Sequence, residues 1–423
     1  KNVNKIFFQK IRVIYCMNCQ NIIYYSQVEK FIHEKRDLMK LKKFTLGAVV
    51  AAILAGCGNA ADSNTVKIGG NFELTGNVAT YGTSMNNGAQ LAVEQKGKLL
   101  DKELKYVSYD NKSDKTEVAS VAKKLASEKV VGVVGPATTG DASESIPVNE
   151  HAKIPTVFPA TTGDGVTLKN PEDASSVYEY IYRVCFSDSY QGVVGANFVH
   201  KKFGNAKVAI LQDTGNDYSK GLADAFEKTY TDSKIGGTVV TREYYQSKDT
   251  DFQAVLTTLK SKDFDVSYVP GYYEEVGLII KQAREMGITQ PIVGGDGLSS
   301  DKLAALAGNS SNLSNVYYTS HFSTLSDDAD VQAFVKAYKE KYGANPDTFA
   351  ALSYDATQLL MKAIEKAGST DPQAITKALA ETKDFDGVTG TFSMGADHTP
   401  VKSAVVIEFQ NGQEVSAQEY SAE

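Results

Sequence analysis

The pentapeptide PATTG occurs twice, at residues 136–140 and 159–163, each time closing an apolar run. Both copies set two threonine hydroxyls and a glycine where a buried strand should stop. Their 23-residue spacing fits a strand, a helix and a strand again, and neighbouring parallel strands put their ends about 4.8 Å apart. Thr139 opens the segment TGDASESIPV, whose first helical turn should present free backbone N–H groups, a seat for a carboxylate or phosphate. Thr162 follows the other strand end just after Ala160, where a carbonyl and a hydroxyl offer acceptors. Donors at one end and acceptors at the next suit a zwitterion such as an α-amino acid. Its ammonium, once buried, also needs a full negative charge, because an unpaired desolvated ion is strongly destabilising. Asp296, in VGGDG at the end of a later apolar run, can supply it.

Each of these residues also has a plainer reading. A hydroxyl at a strand end can cap a helix, and an Asp between glycines can serve a turn. With 23 tyrosines and no tryptophan, any single Tyr can belong to the core. Tyr81, Tyr218 and Tyr272 stand out because each follows an apolar run and sits in a Gly-rich turn.

The elements that must position these groups run from Val66 onward. VKIGGNFEL, LKYVSYD, VVGVVG, PTVFPA, KVAILQD, TVVTREYY, DVSYVPGYY, PIVGGDG and NVYYTSHF read as strands, and segments such as KTEVASVAKKLASEK carry apolar residues at helical spacing. This alternation predicts an α/β fold with parallel sheets covered by helices on both faces. The pattern restarts near residue 185, so two doubly wound lobes are expected, joined by more than one crossover. Lobe 1 is assigned to 66–185 plus 323–400, and lobe 2 to 186–322 plus 401–423. Ligands of open α/β sheets bind beyond the carboxyl ends of the strands, and there lie LTGNVATYG, both PATTG turns, DTGNDYSKG, VPGYYEE and GGDG. They would all face one cleft.

Charge is divided unevenly. Residues 1–56 hold a formal +7 and the remainder −14, and a body that acidic is a poor match for nucleic-acid phosphates. Of the four cysteines, Cys16 and Cys19 lie in an Asn/Ile/Tyr-rich stretch without a second ligand pair, and Cys185 alone sits in the folded part, so neither zinc nor a disulfide framework is expected. MKLKKFTLGAVVAAILAGC, from Met39, has the charged start, short apolar run and small-residue end of an export signal, too short to span a bilayer. Residues 39–56 are therefore read as a signal peptide, 1–38 as an upstream, non-native extension, and 57–65 as a polar tether. The ending LAGC resembles the lipobox of bacterial lipoproteins, which implies acylation of Cys57, by chains such as palmitate, and anchoring on the outer face of a Gram-positive cell membrane.

From Val66 to its end the chain resembles the periplasmic-binding-protein-like family that serves branched-chain amino acid ABC transporters. The resemblance rests on the order of LTGNVATYG, GPATT, PATT, NDYSKGLADAF, PGYYEEVGLIIKQAREMG and GGDG. It implies a carboxylate site at Thr139, where serine is more usual. It implies an ammonium site at the Ala160 carbonyl, the Thr162 hydroxyl and Asp296, where some members carry glutamate. Side-chain contacts would fall on Tyr81, Tyr218, Tyr272 and Phe349. Asp is one methylene shorter than Glu, which withdraws its charge by about 1.5 Å. The implied role is a monomeric receptor for leucine, isoleucine or valine that delivers to an ABC permease and its ATPase subunits, with no cofactor. The alternative is a sensor of the same fold for amides, urea or other small polar ligands. No nucleophile elbow, H-E-x-x-H or phosphate-loop motif is present, and the five histidines show no ligand spacing, so no catalysis is expected.

Overall fold

The structure, a computed structural model, describes residues 64–421. The extension 1–38, the signal 39–56, Cys57 and nearly all of the tether lie outside those residues. Strand β1 (Thr65–Phe72) is followed by α1 (Ala79–Lys96), β2 (Lys98–Leu99), β3 (Lys102–Asp110), α2 (Lys115–Ser127), β4 (Gly132–Val134), α3 (Thr139–Ala152), β5 (Thr156–Phe158) and β6 (Ile181–Arg183). These strands form one sheet in the order β2-β3-β1-β4-β5-β6. All its pairings are parallel except the short β2–β3 hairpin. Alternation along β4 explains the two covered faces: Val133 packs with Val121 and Leu125 of α2, while Val134 belongs to the opposite cluster with Met85 of α1.

The second half begins with α4 (Asp188–Phe203), β7 (Lys207–Asp213), α5 (Asp217–Tyr230), β8 (Thr238–Tyr245), α6 (Gln253–Lys260), β9 (Val266–Tyr268), α7 (Tyr273–Glu285), β10 (Ile292–Gly294), α8 (Leu303–Leu306) and β11 (Val316–Ser320). Then come α9 (Ala329–Tyr342), α10 (Thr348–Ala367), α11 (Pro372–Ala380), β12 (Phe385–Gly387), β13 (Gly390–Met394), β14 (Pro400–Val401), β15 (Ala404–Gln410) and β16 (Gln413–Tyr420). The second sheet runs β16-β15-β11-β10-β9-β7-β8, and β12-β13-β14 make a small third one. The expected two-lobed α/β architecture is present, with one difference. The sheets are mixed rather than parallel, because β2 pairs antiparallel with β3 in the first, while in the second β15 runs antiparallel to both β11 and β16. The β15–β16 turn is Asn411-Gly412 with φ of 51° and 76°, a left-handed pair that Asn-Gly adopts with little strain.

Helix starts are secured by side chains: Asp114 caps α2, Ser187 caps α4, Asn216 caps α5 and Asp347 caps α10. Helix α10 is buried along most of its length and lies against α1 of the first lobe. The approach is close enough that a Cβ on Gly88 would sit 2.1 Å from the Ala350 carbonyl oxygen. Ser84 adds a 2.7 Å hydrogen bond to Asp347. The tail helices thus return to the first lobe, and the chain crosses between lobes after β6, after β11 and after β14.

Charged and polar side chains buried at these crossings tie the strands together. Arg183 directs Nη1 at the carbonyls of Thr161, Thr162 and Gly163 (3.2, 3.0 and 2.9 Å) and Nε at the Thr399 hydroxyl (3.0 Å). Lys402 donates to the Thr389 hydroxyl at 2.6 Å, and burial pulls its ammonium down to about 8. Cys185 is fully buried beside them, with its thiol pushed up to about 12 by burial. Among the described residues, no helix is long and apolar enough to cross a membrane.

Candidate functional site

Strands β4 and β5 are parallel neighbours, so the two PATTG turns lie side by side, and their four threonines divide the work. Thr138 is the N-cap of α3 and accepts from the Asp141 N–H at 3.2 Å. Thr161 is fully buried and donates to the carbonyls of Pro136 and Ala137, both at 3.3 Å, stapling one turn to the other. Thr139 and Thr162 face a cavity that Thr138 also lines. The Thr139 hydroxyl oxygen accepts the Gly163 N–H at 3.1 Å, which leaves its proton for another acceptor. Beside it, the N–H groups of Thr139 and Gly140 open a 14-residue helix that cannot use them internally.

The small cavity between the lobes is lined by Tyr81, Ala137, Thr138, Thr139, Ala160, Thr162, Tyr218, Tyr272, Asp296, Gly297 and Phe349. All eight residues singled out for ligand contact in the described part therefore meet around one space. Ala137, Thr138 and Gly297 line it without having been anticipated. A larger open groove by the tail helices includes Asp327, Asp328, Lys362 and Glu419, but Asp328 there is already the N-cap of α9. The smaller cavity sets helix N–H donors, carbonyl and hydroxyl acceptors and a buried carboxylate around a single space.

One wall is aromatic. Tyr81, on α1, packs against Phe349 of α10 with ring centres 4.1 Å apart and meets Tyr272 edge-on at 5.6 Å, while Tyr218 of α5 stacks on Tyr272 at 5.4 Å. Burial raises the hydroxyls of Tyr81, Tyr218 and Tyr272 well above the ordinary phenol range, so all three are neutral. Tyr81 also joins the lobes: its hydroxyl donates to the Gly297 carbonyl and accepts the Tyr273 N–H at 3.2 Å. Nearby, the Tyr273 hydroxyl donates to the Asn77 carbonyl at 3.1 Å.

Asp296 is the buried charge, 3% exposed, in a short 3-10 turn after β10. Its Oδ1 accepts from the Tyr218 hydroxyl at 2.9 Å and from Gln191 Nε2 at 3.0 Å. Oδ2 lies 3.4 Å from His321 Nε2. Burial lowers that imidazole to about 4, so it is neutral at pH 7 and Asp296 has no cationic partner in this ring.

Two further carboxyls stand behind the cavity. Asp188 is 1% exposed and raised well above the usual range by burial, against which the Thr162 hydroxyl acts by hydrogen bonding. Glu73 is fully buried and accepts the N–H groups of Ala137 (3.0 and 3.1 Å) and Thr138 (3.3 Å). Burial and the neighbouring Asp141 drive the Glu73 carboxyl upward, and a side-chain hydrogen bond joins the two carboxyls. None of Gln191, His321, Arg183, Asp188 or Glu73 was expected from sequence. Their partners are separated by up to 216 residues, and only the fold connects them.

The comparisons with known proteins agree with this geometry. The sequence profile of the periplasmic binding protein family matches residues 65–414. A Leu/Ile/Val-binding protein of Rhizobium johnstonii is 32% identical over 361 residues, 84% of this chain and 94% of the relative. Among solved structures, the branched-chain amino acid transporter substrate binding protein LivJ of Streptococcus pneumoniae, in complex with isoleucine, superposes with TM-score 0.78 at 41% identity, covering 84% of this chain and 99% of that one. The leucine binding protein LivK of Thermotoga maritima gives TM-score 0.77 at 34% identity, over 84% and 98%.

Proposed function

The chain belongs to the periplasmic binding protein family, and from that premise we propose that it captures a branched-chain L-amino acid and delivers it to an ABC permease. The family binds solutes without transforming them, so the work ends with binding and release. In this reading the ligand carboxylate accepts the Thr139 hydroxyl and the N–H groups of Thr139 and Gly140. The ammonium lies among the Ala160 carbonyl, the Thr162 hydroxyl oxygen and Asp296. The aliphatic side chain rests on Tyr81, Tyr218, Tyr272 and Phe349, where burying a Leu, Ile or Val side chain contributes roughly 1.5–3 kcal/mol. Tolerance within that class follows, because one methylene changes the total little.

The observation that carries the reading is the polarity of the cavity: helix N–H donors at one end, acceptors and one unpaired buried carboxylate at the other, and rings between. The test is calorimetric titration of the purified protein with the twenty amino acids. Leucine, isoleucine and valine should bind and Asp, Glu, Lys and Arg should not; binding of none, or preference for a charged side chain, refutes the assignment.

Two subsidiary readings go with it. The lobes divide as 66–185 plus 323–400 and 186–322 plus 401–423, supported by the membership of the two sheets. Cys57 carries acyl chains that hold a monomeric receptor on the outer face of a Gram-positive cell membrane, supported by the LAGC sequence. Intact mass of membrane-extracted protein beginning at an unmodified Cys57, or upstream of it, overturns that anchor.

A further inference from the structure

Asp296 is clamped through both its side chain and its backbone by one residue. Gln191 Nε2 donates to Asp296 Oδ1 at 3.0 Å, and the Asp296 N–H donates back to Gln191 Oε1 at 2.9 Å. Gln191 is fully buried, and its Oε1 also accepts the Thr319 hydroxyl at 2.7 Å. Two donors on Oε1 settle which way the amide points, since a flipped amide would set N–H against N–H. The clamp also explains Gly295: a Cβ there would lie 2.4 Å from Gln191 Oε1 and 2.2 Å from the Tyr218 hydroxyl. With Gln191 and Tyr218 both on Oδ1, the carboxylate cannot rotate freely, and Oδ2 is the oxygen left for a cation.

Gln191 also occupies a telling place in the chain. It lies in the first turn of α4, the helix that follows the first crossing between lobes. Three residues earlier, the Asp188 N–H donates to the Thr162 carbonyl at 2.8 Å. One helical turn therefore holds Thr162 of the first lobe and Asp296 of the second, the two side chains assigned to the ammonium.

We propose that Gln191 is a positioning residue that aims Asp296 at the ligand ammonium and so sets the preference for α-amino over α-hydroxy acids. The inference rests on the amino-acid reading of the cavity and adds to it the group that makes the carboxylate directional. A hydrogen bond to a charged group contributes more than one between neutral groups, and its loss acts only on ligands that present a cation to Asp296.

The experiment titrates the wild type, Gln191→Met and Thr319→Val with L-leucine and with 2-hydroxy-4-methylpentanoate, the same skeleton bearing a hydroxyl in place of the ammonium. Gln191→Met should lose roughly 10- to 100-fold in leucine affinity while the hydroxy acid changes by less than about threefold, so the ratio of the two collapses. Thr319→Val, which frees the amide on its far side, should move the ratio in the same direction by less, and it remains informative if Gln191→Met does not fold. Equal losses for both ligands, or an unchanged ratio in the folded variants, overturn the proposal and leave Gln191 a packing residue. Failure of the wild type to bind any amino acid is a separate result: it overturns the ligand reading, and the proposal with it.

Discussion

Replacing Asp296 by Asn separates its charge from its shape. The amide oxygen can still accept from Tyr218 and Gln191, as Oδ1 does at 2.9 and 3.0 Å, but an N–H would take the place of Oδ2. Two unit charges 4 Å apart interact by about 4 kcal/mol at an effective dielectric constant of 20, and breaking a buried ion pair costs about 3–5 kcal/mol. At about 1.4 kcal/mol per decade, leucine affinity should fall by roughly two to three and a half orders of magnitude. The free protein should respond in the opposite sense. Its Asp296 is 3% exposed and faces a neutral His321, so removing the charge should leave the unliganded melting temperature unchanged or higher. Calorimetry and thermal melts with and without leucine measure both effects, and each hundredfold loss of affinity removes about 2.7 kcal/mol of ligand stabilisation at saturating ligand. Leucine binding within about threefold of wild type would refute the pairing. A marked fall in unliganded stability would show instead that Asp296 is chiefly a turn residue.

Tyr81→Phe keeps the ring against Phe349 and removes the hydrogen bonds to Gly297 and Tyr273. Leucine, isoleucine and valine should all weaken by a similar factor of roughly 3- to 10-fold, and small-angle scattering should show a more open unliganded protein. Thr139→Val deletes the hydroxyl and orphans the Gly163 N–H, so affinity should drop about 10-fold or more, whereas Thr139→Ser should bind nearly as well as wild type in the same titration. The His321 imidazole, lowered to about 4 by burial, takes a proton more readily in the unfolded chain. Its contribution is complete above pH 6.5 and is lost as pH falls toward 4, by about 3 kcal/mol in all; denaturant unfolding of wild type and His321→Gln at several pH values should show the steeper loss in the wild type.

The parts of the fold that were legible in sequence are those in which one strand announces itself. Runs such as KVAILQD and PTVFPA are apolar on both faces because helices cover both, and the PATTG duplication marked two strand ends whose pairing followed from their spacing. Strand β6 escaped because a three-residue strand after the irregular stretch 163–180 carries no periodicity. The β15–β16 hairpin was missed although Asn411-Gly412 is a turn signal, since QEVSAQEY alternates polar residues on an exposed edge. Of the four threonines, nothing local distinguished the buried staple from the three that line the cavity, one of which is also the cap; β-strand alternation and the cap geometry decide it. Gln191 in DSYQGVV reads as an ordinary helical polar residue. Its meaning comes from Asp296, 105 residues away.

The division of the proposed contacts between lobes bears on how binding would drive closure. Thr139, Ala160 and Thr162 issue from the first sheet's strand ends, and Asp296 from the second's. A ligand held by the first group alone would bind the open and closed proteins equally and shift nothing between them. In the proposed binding mode the bond to Asp296 would exist only when the lobes meet, so its energy would be differential affinity. At about 3–5 kcal/mol it supplies most of the roughly 5.5 kcal/mol needed to carry an equilibrium from 1:99 to 99:1, with the aromatic contacts supplying the rest. The Tyr81 bridge to Gly297 and Tyr273 joins the lobes with no ligand atom in it, so in the proposed binding mode it would set where that equilibrium starts. Asp296→Asn should therefore weaken binding with little change in the unliganded distribution of open and closed forms. Tyr81→Phe should move that distribution and, through it, the affinity for every ligand alike.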